Sequence, residues 1–308
     1  MLMRYGLPYK GSKNAIASWI VNTLPESEIF VDLFCGGGAV THCAMLSRKY
    51  QQFIMNDIDG RLLILFKDCA YGKYTTETHP EWISREEFNR RKHDDAYIAL
   101  VWSFGNNGKD YLYGADIEEL KHAYHVLVFE NNSKPIEKLG ITLKISNKTD
   151  VYERYLDYNR QIKAIFEATK SHKHELENYE RLQSLERLES LYRLQRLQSL
   201  QSLQSDYKQV DIPEGALIYC DIPYSGTNCG KYSGFNHQEF YEWAEKQNNI
   251  FISEYDMPDS FIEIASIEKT VLSTANGSQG KAIEKIFTNK KTYERYNGVC
   301  CDKQLTLF

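Results

Sequence analysis

The chain has 308 residues, 42% hydrophobic and 26% charged, which is enough for one large domain or for a core carrying an inserted second one. No apolar run approaches the roughly 18 residues of a membrane span, and the polar Gly/Ser/Lys opening lacks the apolar stretch of a signal peptide, so a cytoplasmic protein is expected. The net charge of −5 does not itself favour a polyanionic partner, and the seven cysteines, without paired CxxC spacing, argue against a disulfide framework and against a metal site.

The first 67 residues read as α/β. Pro8-Tyr9-Lys10-Gly11-Ser12-Lys13 is an irregular loop that offers a cation, Lys13, and an aromatic face, Tyr9. A helix is predicted from Asn14 to Leu24, with Ile16, Trp19, Ile20 and Val21 on its apolar face. The run from Ile29 to Phe34 is a short buried strand that ends in Cys35-Gly36-Gly37-Gly38. A second helix follows from Ala39 to about Ser47, then a strand from Gln52 to Met55 that closes on Asn56-Asp57-Ile58-Asp59. Strand, glycine turn, helix, strand and acid in this order make the first half of a doubly wound sheet. The glycines are consecutive and position 41 is Thr, so the turn is neither GxGxxG nor a Walker A loop. It still lets a ligand approach the backbone at a helix N-terminus. Asp57, about 20 residues on, is placed to accept from ribose hydroxyls; Asp59 is its near competitor, and either can cap the helix that begins near Gly60.

Residues 68–150 are mixed and polar, with aromatic-rich loops such as Trp102-Ser103-Phe104-Gly105-Asn106-Asn107-Gly108, and 151–205 are strongly helical in composition. From Leu182 to Leu203 a leucine falls at every third position. Steps of three turn a helix by about 300°, so the stripe circles it and is no heptad seam. The favoured reading of 181–205 is a low-complexity helical spacer, with a leucine-lined dimer arm as the sharper alternative.

The chain returns to α/β after 206: a strand into Asp221, a helix from about Gln238 to Gln247, the strand Ile250-Phe251-Ile252, and a C-terminal pair of strands or hairpin. One sheet split by an insertion is the expected architecture. At the exit of the first of these strands, Asp221-Ile222-Pro223-Tyr224 sets a carboxylate beside a turn proline and an aromatic ring. A carboxylate and a backbone carbonyl together accept both hydrogens of an exocyclic amine, and Tyr224 offers a face on which a flipped base stacks. A strand-end Asp followed by a turn proline is the plainer reading.

In this order, "PYKGSK", "VDLFCGGG", "NDID", "CDIPY" with the tail "GTNCGKYSGFNHQEFYEWA", and "FISEYD" resemble the motifs of the Dam-like, alpha-class DNA adenine-N6 methyltransferases. The resemblance implies an α/β, Rossmann-like methyltransferase sheet formed by 1–67 and 206–303, with a mostly helical target-recognition insertion over 68–205. It implies S-adenosylmethionine as cofactor and adenine in double-stranded DNA as substrate. Tyr9, Lys13, Phe34, Gly36, Gly38, Asp57, Asp206 and Tyr207 then fall to the cofactor, and Asp221, the carbonyl of Ile222, Pro223 and Tyr224 to the target base. "SFGNNGKDYLYG" resembles a DNA-contacting loop, so Asn106, Asn107 and Lys109, with Arg90, Arg91 and Lys92, become DNA-binding candidates. Ile222 stands where the family has proline, and is expected to loosen the turn without removing an acceptor. Gln304-Leu305-Thr306-Leu307-Phe308 resembles the pentapeptide by which bacterial replication proteins dock on the sliding clamp, through Gln304, Leu305, Leu307 and Phe308. Methylation of RNA or of a protein amide, and a degenerate module without catalysis, are the competing functions.

Overall fold

The computed structural model describes residues 4–169, 180–191, 199–224, 234–272 and 279–296. It divides into two units: Met1–Gly6, Ser12–Phe66 and Leu194–Phe308 in one, Leu7–Gly11 and Lys67–Arg193 in the other. No helix of the described residues is long and apolar enough to cross a membrane.

The first unit is a seven-stranded sheet. Its strands are β1 (Ile29–Asp32), β2 (Gln52–Asn56), β3 (Leu200–Leu203), β4 (Leu217–Asp221), β5 (Ile250–Glu254), β6 (Phe261–Leu272) and β7 (Gln279–Asn289). Their spatial order is β3-β2-β1-β4-β5-β7-β6. The first five run parallel; β7 lies antiparallel between β5 and β6. Along the chain, β1 steps outward to β2 and β3, whereas β4 pairs with the other side of β1. The order therefore reverses between β1 and β4, and ligands of doubly wound sheets bind at the carboxyl ends of the strands at such a switch. The glycine turn leaves β1 there, and Asp221 ends β4.

The helices of this unit follow the expected pattern with shorter ends. A 3-10 turn (Lys13–Ala15) precedes α1 (Ala17–Thr23), and α2 (Ala39–Leu46) begins at Gly38. α3 (Gly60–Ala70) leads out of the sheet. The later helix (His237–Ala244) starts where the Asn236 side chain accepts from the Glu239 amide at 3.1 Å. Val31, Ile54, Ile218, Cys220, Ile222, Phe240, Ile250, Ile252 and Phe287 form the core beside the switch. Buried on both faces, β1 and β4 read as unbroken apolar runs, as parallel central strands do.

The second unit is helical: α4 (Arg85–Arg91), α5 (Ala96–Val101), α6 (Glu118–Glu130), α7 (Lys134–Lys138), α8 (Val151–Thr169) and α9 (Glu180–Ser190). α5 packs on α9, and α6 on α7 and α8. The leucine repeat departs from the expected spacer. Leu182, Leu185, Leu188 and Leu191 are all buried, on α9 and just beyond its end, and the end of the repeat, Leu200–Leu203, is the edge strand β3. A period of three drifts slowly enough that four leucines share one broad helical face, and leucine serves a strand when a neighbour offers a partner. The sheet unit accordingly resumes at Leu194, before the expected boundary at 206. Arg181, buried in the same repeat, has its guanidinium 4.8 Å from the Trp102 ring centroid and 4.5 Å from that of Phe129, and donates to the carbonyl of Glu81 at 3.0 Å. A spacer loses little on truncation; a core helix does not. Leu185→Ala is expected to destabilise this unit by about 2–5 kcal/mol, read by chemical denaturation.

Candidate active site

Gly36 (φ 48°) and Gly38 (φ 68°) turn the chain out of β1. Both angles lie in the left-handed region, and a Cβ on Gly38 would sit 2.7 Å from the Phe66 ring. The Gly36 amide donates to Asp57 Oδ2 at 2.8 Å, and the Asp59 amide to Asp57 Oδ1 at 2.8 Å. Asp59 itself is gripped by Arg61, at 2.9 Å through Nε and 2.8 Å through Nη2. The geometry thus separates the two acids: Asp57 belongs to the glycine turn, and Asp59 to the start of α3. Thr41, standing where a third glycine was absent, donates to Asp32 Oδ2 at 2.7 Å.

Phe34 lies against Tyr207 at 5.3 Å between ring centroids, with Phe235 and Phe240 at 5.7 and 5.8 Å. These rings make an apolar wall beside the turn. Asp206 caps the 3-10 turn Tyr207–Gln209, accepting from the Lys208 amide at 2.9 Å through Oδ1. Tyr9 is half-buried in Leu7–Gly11, the segment that groups with the helical unit.

Lys13 is the larger surprise. Its Nζ lies 2.9 Å from Asp221 Oδ1, 3.8 Å from Glu284 Oε2 and 4.3 Å from the Tyr224 ring centroid. Burial pulls the ammonium pKa down, but Asp221 and Glu284 outweigh it and the net shift is upward, so Lys13 stays charged. The Tyr224 hydroxyl donates to Glu284, and its ring meets Tyr255 edge-on at 4.5 Å. Burial, then Asp221 and Glu284, push the Tyr224 hydroxyl far up, which keeps it protonated as a donor. His237 Nε2 lies 2.7 Å from the Pro223 carbonyl; since a carbonyl only accepts, Nε2 carries the proton. That bond occupies the carbonyl of Pro223, the residue after Ile222.

Ile222 does more than spare a proline. Its side chain is 2% exposed and packs in the core with Phe240, Ala244 and Ile252. The expected loosening of the turn is offset by packing that proline's smaller ring cannot reproduce. Ile222→Pro is expected to cost about 1–2 kcal/mol of stability, while the rate per folded molecule stays within a few-fold of wild type. Thermal melting and initial rates at low temperature separate the two.

Three acids at this site were not singled out in the sequence. Glu254, at the end of β5, is buried and accepts from the Tyr255 amide at 2.7 Å. Glu284 is 1% exposed on β7, while its neighbour Ile283 is 52% exposed. Asp32 is buried at the end of β1, and its Oδ1 finds no hydrogen-bond partner among the described residues. Burial pushes its carboxyl up to about 7, against the Thr41 hydrogen bond and helped by Asp221 and Asp57. The folded state therefore holds a proton that the unfolded chain releases at ordinary carboxylate pH. Stability contributed by this proton falls as pH rises from the ordinary carboxylate range to about 7. Asp32→Asn is expected to flatten that slope, which denaturant unfolding at a series of pH values reads directly.

The DNA-binding candidates lie in the helical unit and divide by what they already hold. Arg91 pairs with Glu87 at 2.7 Å and Asp95 at 2.9 Å. Lys92 donates to the Lys109 carbonyl at 2.7 Å and so joins α4 to the 103–110 loop. Asn106 (φ 54°) donates to the Leu100 carbonyl at 2.8 Å, and Asn107 Oδ1 accepts from the Lys109 amide at 2.8 Å. These four build the loop and its support. Arg90, with Nη2 3.8 Å from Glu87, and Lys109 are exposed, as is Phe104 at the loop tip.

Cys35, Cys43, Cys69 and Cys220 are free, buried thiols; Cys300, Cys301 and the 304–308 pentapeptide lie outside the described residues. A family model described as D12 class N6 adenine-specific DNA methyltransferase matches residues 9–295. No curated protein matches the chain.

Proposed function

The chain belongs to the D12 class N6 adenine-specific DNA methyltransferases, and from that premise we propose that it methylates adenine at a specific duplex site, using S-adenosylmethionine, with Asp221 as the acceptor of the adenine amine. The observation that carries this reading is Asp221 at the carboxyl end of β4, across the switch point from the glycine turn, with the Tyr224 ring held three residues on.

The residues at the turn suit the cofactor's chemistry. Asp57, held on the glycine turn by the Gly36 amide, is the carboxylate we assign to the ribose hydroxyls. Phe34 and Tyr207 offer apolar ring faces for a base. When bound, the sulfonium supplies an electrophilic methyl group. Asp221 and the Ile222 carbonyl orient the amine so that its lone pair leaves conjugation with the ring. Tyr224 stacks the base, and its hydroxyl is anchored on Glu284. Catalysis by these groups is orientation and electrostatics, without a general base of raised pKa. Arg90 and Lys109, as exposed cations in the helical unit, are the phosphate contacts we favour. The Gln304–Phe308 sequence is proposed to dock on a bacterial sliding clamp, and a cytoplasmic location accords with both partners.

The test is sequencing of methylated bases in DNA from a methylation-deficient host expressing the protein, beside one expressing Asp221→Ala. N6-methyladenine at one recurring motif in the first and none in the second supports the reading. Unmodified adenine in both overturns it.

A further inference from the structure

Lys13 and Asp221 raise a conflict within that function. Asp221 has to accept an N–H from the substrate, yet Lys13 already donates to its Oδ1 at 2.9 Å. An ammonium on the same carboxylate draws off the charge that should hold the amine. Lys13 cannot simply retreat to water, since its side chain is 7% exposed. A buried ammonium stranded without a partner is strongly unfavourable.

Glu284 supplies the missing partner. Its Oε2 lies 3.8 Å from Lys13 Nζ and is the oxygen to which the Tyr224 hydroxyl donates. A shift of about 1 Å brings the ammonium to hydrogen-bond distance, well within the reach of a flexible four-carbon stem. The ring of Tyr224, 4.3 Å from Nζ, faces the ammonium and favours a cation near it.

We infer that Glu284 is a positioning residue: it takes over Lys13 when Asp221 turns to the adenine amine, so that the ammonium stays paired throughout. The inference rests on the proposed adenine methylation for its purpose, but not for its physical content. Either carboxylate alone satisfies Lys13; only the loss of both strands it. A Glu284 that merely anchors the Tyr224 hydroxyl has no such relation to Asp221.

Two measurements test this. The first is thermal melting of the wild type, Asp221→Asn, Glu284→Gln and the double variant. The double variant is expected to lose roughly 5–10 °C more than the sum of the single losses. Adding Lys13→Met is expected to recover most of that excess, and it also serves if the double variant does not fold. Losses that add within about 2 °C, or a triple variant no better than the double, overturn the inference. The second is single-turnover methyl transfer to DNA, with cofactor affinity measured by calorimetry. Glu284→Gln is expected to slow transfer at least about 10-fold with cofactor affinity unchanged within two- to three-fold, and Glu284→Asp to restore much of the rate. Full speed in Glu284→Gln, or a loss that lies wholly in cofactor affinity, overturns it. If the wild type transfers no methyl to DNA, the functional reading falls, and melting still decides whether Lys13 has two alternative partners.

Discussion

Replacing Asp221 with alanine is expected to lower methyl transfer by at least about 10³-fold while leaving DNA and cofactor affinity within a few-fold of wild type. The split follows from where the carboxylate acts. Its oxygen accepts from an amine whose nitrogen becomes more acidic as the methyl arrives, so the bond strengthens between ground state and transition state. The glycine turn, Asp57 and the Phe34–Tyr207 wall are separate from it and remain. Lys13, deprived of Asp221, still has Glu284 at 3.8 Å, so the alanine variant is expected to fold. A rate measured under single-turnover conditions, with both ligands saturating, isolates the chemical step. A variant within ten-fold of wild type under those conditions would exclude Asp221 as the amine acceptor.

How much of this was legible beforehand depended on whether the relevant residues were neighbours in sequence. β1, the glycine turn, α2 and β2 are contiguous, and their punctuation survives folding almost unchanged. Asp221 stood out because a polar residue ends an apolar run. The choice between Asp57 and Asp59 needed coordinates, since two acids two places apart have equal claim in sequence. The Gly36 amide on Asp57 and the Arg61 guanidinium on Asp59 separate them.

Glu284 was hidden for a physical reason. In the stretch Ala282-Ile283-Glu284-Lys285-Ile286, the usual alternation buries Ile283 and exposes Glu284. The reverse occurs, because Glu284 faces Lys13 and Tyr224 on the inner side of an antiparallel strand added to a parallel sheet. A buried carboxylate is tolerated here beside a cation 271 residues away, and pairwise proximity of that kind leaves no local trace. The leucine repeat misled for a related reason. Its composition favours helix throughout, yet its end, Leu200–Leu203, pairs with Phe53–Asn56 as a strand, because the edge of β2 is there to receive it. Tertiary partners overrode local propensity in both places.

Gly6 carries the second large effect, and it too concerns a contact between distant segments. Its φ is +65°, and a Cβ there would meet Gly37 O at 2.5 Å, Ala39 N at 2.6 Å and Ala39 Cα at 2.7 Å. All three are backbone atoms of the turn that leads into α2, so no side chain can swing aside. The Gly6 amide also donates to His42 Nδ1 at 3.0 Å, fixing the approach from the other end. Gly6→Ala thus combines left-handed strain of about 1–2 kcal/mol with overpacking of about 1–3 kcal/mol. Relief requires the glycine turn or the N-terminal segment to move. Either shift disturbs the site, because the turn bears Gly36, whose amide holds Asp57, and Lys13 lies seven residues beyond Gly6. The expected result is a fall in melting temperature of roughly 5–10 °C and at least about 10-fold weaker cofactor binding by calorimetry. Gly11→Ala is the matched control. Its φ is +84°, but nothing lies within 4 Å of a Cβ there, so it bears the strain without the clash. Equal losses in the two variants would mean that backbone strain alone matters at Gly6; a far larger loss at Gly6 locates the effect in its close approach to the turn.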